Sequence, residues 1–296
     1  MSPAGTALST AAGAALIALA LLDVFRTLFS GAERRALSHG LIRATWLVLH
    51  RLQRPGALAL AGPLSFLVVV ASWAVMLVAG WALVYWPHMP EGFSFAEQAA
   101  EGGSDLLDSV YVSLVTLATL GYGDISPAEG WLRVAAPLES LLGLGLLTAS
   151  VSWLLSIFPV LSRRRALAYE ISLLEEVRRD PDDPGPPSPL PASVYADLTS
   201  RLVAVERDLV TFPVTYYFHE TDTRFALPAA VGHLLELAGD ARRQSASEEA
   251  HFHGGLLLRA IDDFADSIAG RFRLPHTGST PEVLRAYARD HAAPVD

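Results

Sequence analysis

The segment from Asp105 to Asp124, DLLDSVYVSLVTLATLGYGD, holds the residue types and spacing on which any chemistry of this chain turns. Its first part is apolar enough for a short helix but too short to cross a bilayer, so it must enter the membrane and return. Thr119-Leu120-Gly121-Tyr122-Gly123 then falls at membrane depth as irregular backbone, which is tolerated only where protein buries it or where it lines a water-filled path. Gly121 and Gly123 make such backbone possible, because glycine takes positive φ as readily as negative. The chain needs a pore here.

The elements that must position this loop are long and apolar. Of 296 residues, 51% are hydrophobic, and the mean hydropathy is +0.34, beyond a soluble domain of ordinary composition. The fold class expected is therefore an all-α membrane protein. Leu64 to Trp86 is an uncharged run that spans about 34 Å as a helix, close to the hydrocarbon thickness. Leu132 to Leu161 is a second span, interrupted only by Arg133 and Glu139 and ended by Arg163-Arg164-Arg165. Ala7 to Phe29 is a further apolar run, read as an additional N-terminal membrane helix; no basic residue precedes Arg26, which disfavours a cleaved signal peptide. Leu41 to Leu60 is broken by Arg43, His50, Arg51, Arg54 and Pro55-Gly56 and is expected along the inner interface.

Charge sorts by position. Between Trp86 and Trp131 the charged residues are all acidic: Glu91, Glu97, Glu101, Asp105, Asp108, Asp124 and Glu129. Arg26, Arg34, Arg35, Arg43, Arg51 and Arg54 lie before the first clear span, which together with the basic triplet puts that side in the cytoplasm and the N-terminus outside. Trp81, Tyr85, Trp86 and Trp131 are expected as an interfacial belt. The net charge of −9, with no basic patch, argues against nucleic acid as a partner, and the absence of cysteine excludes disulfides, thiolate metal sites and cysteine nucleophiles. No enzymatic activity is expected.

Beyond the second span, Asp180 to Pro191 reads DPDDPGPPSPLP and is expected as a linker. Val194, Leu198, Leu202, Val205 and Leu209 recur at helical spacing, as do Phe252, Leu256, Ile261, Phe264 and Ile268, and Thr280-Pro281-Glu282 has the order of a helix start. The tail is read as an all-helical cytoplasmic domain. The expected domains are 1–62, an N-terminal membrane helix with an interfacial segment; 63–162, the pore; 163–192, a cytoplasmic helix and proline-rich linker; and 193–296, the helical domain.

Ser113 to Asp124, SLVTLATLGYGD, resembles the signature of the potassium channel superfamily, in its prokaryotic form with a two-helix pore. The resemblance implies an outer helix, a re-entrant pore helix and filter loop and an inner helix, repeated around one axis in a homotetramer embedded in the lipid bilayer. It implies that the carbonyls of Thr119, Leu120, Gly121 and Tyr122, with the Thr119 hydroxyl, bind K+ as the permeant ion, that Gly123 completes the filter, and that Thr116 and Asp124 support it. No other cofactor is implied. The residue types agree with that role: a dehydrated cation needs several oxygens, and successive carbonyls face one axis only when alternate residues take unusual φ. The pore helix, expected at about residues 106–118, would aim the negative end of its dipole at the cavity. Leu120 stands where valine or isoleucine is usual, and Ala118 where many members have threonine.

Gly143 and Gly145 lie where related channels bend the inner helix; the same glycines would also serve close helix packing. Leu155 and Phe158 are the candidate constriction below them. Glu139, ionisable within an apolar helix, is expected to hydrogen-bond behind the filter. Asp23 and Arg26, three apart, are expected to pair. Arginines are too sparse for a voltage sensor, and the tail has no GxGxxG phosphate loop of a nucleotide-binding fold. Two alternatives stay open: a weakly selective cation channel, and a non-conducting membrane-anchored scaffold or signalling protein working through its tail.

Overall fold

The structure, a computed structural model, describes residues 2–29, 37–52, 56, 58–96, 104–178, 190–244, 247–274 and 278–291. Nearly all of these are helical: α1 (Pro3–Phe29), α2 (Leu37–Arg51), α3 (Ala61–Tyr85), α4 (Asp105–Leu117), α5 (Leu132–Arg178), α6 (Ala192–Thr211), α7 (Leu227–Gln244), α8 (Glu248–Phe272) and α9 (Thr280–Asp290). The sole sheet among the described residues pairs two short strands, β1 (Phe93–Phe95) and β2 (Ile125–Pro127). Among the described residues, three helical stretches are long and apolar enough to cross a membrane: Pro3–Leu28, Leu58–His88 and Leu132–Arg178. The chain is an all-α membrane protein. It divides into two compact units, residues 1–42 with 66–155, and residues 43–65 with 156–296. Of the expected linker, residues 180–189 lie outside the described residues, as do Arg34, Arg35, Arg54, Glu97 and Glu101.

In the first unit α1 runs against α3 along a seam of small residues. Gly13 and Gly80 lie so close that a methyl on either would strike the other helix's backbone, and Ser9 Oγ donates to Leu83 O at 2.7 Å. Such seams suit membrane helices, where close backbone approach takes the place of hydrophobic exclusion. Farther along α1, the buried carboxylate of Asp23 accepts hydrogen bonds from the main-chain N–H of Leu37 (2.6 Å) and Ser38 (3.3 Å) at the start of α2, and from Trp73 Nε1 (2.7 Å) in α3. A carboxylate borrowed from a neighbouring helix thus caps α2, satisfying amides that a helix start leaves without partners. Trp153 of α5 packs on Phe66 and Trp73 of α3.

In the second unit, α6 to α9 and the last part of α5 enclose one apolar core. Leu167, Ala168 and Ile171 of α5 are buried in it, so the helix continues well past its apolar run because its following turns have a core of their own to enter. On α8 the buried positions are Ala250, Gly254, Leu257, Ile261, Phe264 and Ile268. The expected phase is corrected at the start of this helix, where Phe252 and Leu256 are exposed. Gly254 sits against Ala241 of α7, and such small residues set the packing face where large ones would hold the helices apart. The basic triplet is bound within this unit. Arg163 makes two hydrogen bonds to Asp208, Arg165 one to Glu220, and Arg164, almost wholly buried, donates to the carbonyls of Thr215 (2.5 Å) and Phe218 (2.7 Å).

Candidate functional site

The site lies in the first unit and starts with α4. Ser104 caps it, accepting from Leu107 N at 3.3 Å, and Asp105 and Asp108 in the first turn complement the positive end of its dipole. Ser109, Val112 and Ser113 form its buried face. The helix ends at Leu117, and the chain unwinds without losing all its bonds to α4: Thr119 N donates to Thr116 O at 3.0 Å, and Leu120 N to Val115 O at 2.9 Å.

From there the backbone alternates. Thr119 (φ 59°), Gly121 (φ 56°) and Gly123 (φ 78°) take left-handed conformations, while the residues between them do not. The two glycines are where the sequence places conformational freedom. Thr119 is the surprise, since a branched side chain strongly resists positive φ, at a cost of the order of 1–3 kcal/mol. Strain of this kind persists only where the surroundings impose it.

Beyond Gly123 the chain is pinned. Phe93, Ser94 and Phe95 pair antiparallel with Pro127, Ser126 and Ile125, and Ala96 N donates to Asp124 O at 2.8 Å. Sequence reasoning missed this ladder; its only trace is the apolar-Ser alternation of Phe93-Ser94-Phe95 and Ile125-Ser126. Tyr111 of α4 donates to Asp124 Oδ2 at 2.6 Å. That bond holds the Asp124 carboxyl below the usual carboxylate range and pushes the Tyr111 phenol up to about 12.

Behind the loop, Glu139 of α5 is fully buried and accepts from Ser113 Oγ (2.5 Å) and Tyr85 OH (2.7 Å). Tyr85, expected in the interfacial belt, instead faces inward because this carboxylate needs a donor. Gly143, one turn on, lies so close to the main chain of Leu117 that a Cβ would overlap it, whereas Gly145 has open space around it. Helix α5 is continuous through both. Leu155 and Phe158 are exposed on the single chain. Thr116, Thr119, Gly121, Arg133, Ser140 and Leu144 are among the residues lining a cleft of about 720 Å³ between the loop and α5. Leu120 is 57% and Tyr122 68% exposed, so one chain leaves its own loop uncovered. Among the described residues no group of three or more His, Cys, Asp or Glu is placed to hold a metal ion.

Residues 64–158 match the Ion_trans_2 family, described as ion channel. Over that stretch the chain is similar to an ion channel domain, and its two membrane-length helices flank α4 and the loop after it. The chain is also 26% identical over 192 residues to the uncharacterized membrane protein YdjJ of Bacillus subtilis (strain 168), across 60% of this chain and 52% of that protein. It thus spans about half the length of that curated relative. No solved structure matches.

Proposed function

We propose that this protein is one subunit of a potassium-selective channel, four copies of which place their Thr119 to Gly123 segments around one axis to conduct K+ passively. The observation that carries the reading is the alternation of positive φ at Thr119, Gly121 and Gly123 within TLGYG. Alternate left-handed residues turn successive carbonyls toward the same side, which is what stripping the water from a cation demands. The Thr119 hydroxyl adds one more oxygen, and Thr116 and the Tyr111–Asp124 bond brace the strand from behind.

Exposure supports the stoichiometry. A backbone loop left bare at membrane depth is untenable in lipid and must be covered by protein or water, and copies of the same chain around a closed axis supply both. The acidic outer loop and basic inner flank support a bacterial inner-membrane orientation, with the helical domain in the cytoplasm and the N-terminus outside.

The test is purified protein in lipid vesicles with opposed potassium and sodium gradients. The reversal potential is expected to follow potassium; one that follows sodium rejects selectivity, and no flux at all favours an anchor. Gly121→Ala is expected to abolish the flux while leaving the assembly intact, because a Cβ at this φ costs about 1–2 kcal/mol in each of four copies.

A further inference from the structure

We infer that Glu139 is a positioning residue for the conduction path: from α5 it fixes the seat of α4 through Ser113, and thereby the threading of the Thr119 to Gly123 segment. The inference rests on the channel reading above.

Three helices converge on one carboxyl. Glu139 is buried in α5, and its two oxygens take hydrogen bonds from two other helices, Oε1 from Ser113 of α4 and Oε2 from Tyr85 of α3. Carboxyl groups are costly in an apolar helix, and an aliphatic side chain would fill the same space without that cost. What an aliphatic residue would not do is choose a register, since dispersion contacts are tolerant of sliding whereas a hydrogen bond between two buried groups is not.

A second contact repeats the registration one turn farther on. Gly143 lies four residues after Glu139, and Leu117 four after Ser113, and these two also meet, glycine against main chain. Helices α4 and α5 are thus keyed at two matching points. Leu117 is the last residue of α4, and Val115, between the keyed positions, accepts from Leu120 N and Gly121 N. A displacement of Ser113 therefore reaches the loop within seven residues, through main chain alone. Ser113 is fully buried and its hydroxyl is directed at Glu139, while Ser109, one turn earlier on the same face, bonds back to Asp105 O within its own helix.

The experiment measures relative sodium and potassium permeability of wild type, Ser113→Ala, Glu139→Gln, the double variant and Tyr85→Phe, all as reconstituted assemblies of verified size. Ser113→Ala is expected to raise relative sodium permeability about tenfold, the change expected of one lost hydrogen bond to a carboxyl group, whereas Glu139→Gln, whose amide oxygen still accepts from Ser113, is expected to move it less. The double variant is expected to go no further than Ser113→Ala alone, because both changes act on one link. Tyr85→Phe touches the same carboxylate from the outer helix; it is expected to lower the melting temperature while leaving the permeability ratio within about twofold, an outcome that mere helix packing would not separate. Ser113→Ala removes one oxygen and little volume, so it carries the test even where Glu139→Gln does not assemble. A wild type without potassium preference overturns the channel reading. A potassium-selective wild type whose ratio is unmoved by Ser113→Ala, or moved equally by Tyr85→Phe, overturns the role of Glu139 alone.

Discussion

The pore unit and the helical unit differ in how far each covers its own chain. In the helical unit Arg164 is 2% exposed yet meets two carbonyls, and Leu257, Ile261 and Phe264 are fully covered by their own chain. In the pore unit the segment that matters most is left open, with Thr119 strained and Tyr122 bare. The difference teaches which unit covers its own chain and which leaves its loop open. A self-sufficient core is judged by its stability, whereas an incomplete surface is judged by what it does once assembled.

That contrast can be broken or sharpened by substitution. The largest effect is expected from Gly143→Ala, whose methyl would overlap the Leu117 main chain and force α4 away, with loss of most potassium flux in vesicles. Gly145→Ala, two residues on with open space around it, should keep the flux and gain up to about 1 kcal/mol of helix stability; equal damage from both would mean that bending rather than packing uses these glycines. Next is Arg164→Met, which strands the carbonyls of Thr215 and Phe218 and should lower the stability of the helical unit by about 3 kcal/mol in a chemical melt followed by far-UV circular dichroism.

A further effect is one of pH. His291, enclosed by Tyr216, Tyr287 and Trp46, has its pKa lowered by burial to about 4. The unfolded chain takes up this proton near pH 6.5, so between about 6.5 and 4 the unfolded state binds more protons, and stability falls on acidification by about 1 kcal/mol per pH unit. Above that window the contribution is complete. Asp124 is shifted in the same direction but acts at lower pH: it stays charged through this window, and its contribution is lost only when the pH falls through the folded-state value. Melting between pH 7.5 and 4.5 should therefore loosen the helical unit first, and His291→Gln should flatten the slope.

Much of this was legible in the sequence for physical reasons. The ends of α4 fall within a residue of expectation because Ser104 and Asp105 mark its start and the glycines mark its limit. The spans were readable because lipid demands long uncharged runs, and α6 was readable because its apolar spacing is regular. What escaped was whatever depends on a partner distant in sequence. The oxygens of Asp23 reach Leu37, Ser38 and Trp73, contacts that the expected pairing with Arg26 did not signal. Tyr85 turned inward for Glu139, 54 residues away. The start of α8 chose its small residues as the buried face because α7 approaches there. The left-handed Thr119 left no local trace, since nothing about threonine favours that conformation.

The Arg164 clasp has a mechanical consequence. Because the guanidinium grips the main chain at Thr215 and Phe218, the 213–217 turn and the last third of α5 form a single lever arm. A shift of that turn would therefore have to carry α5 with it or break both bonds to the guanidinium.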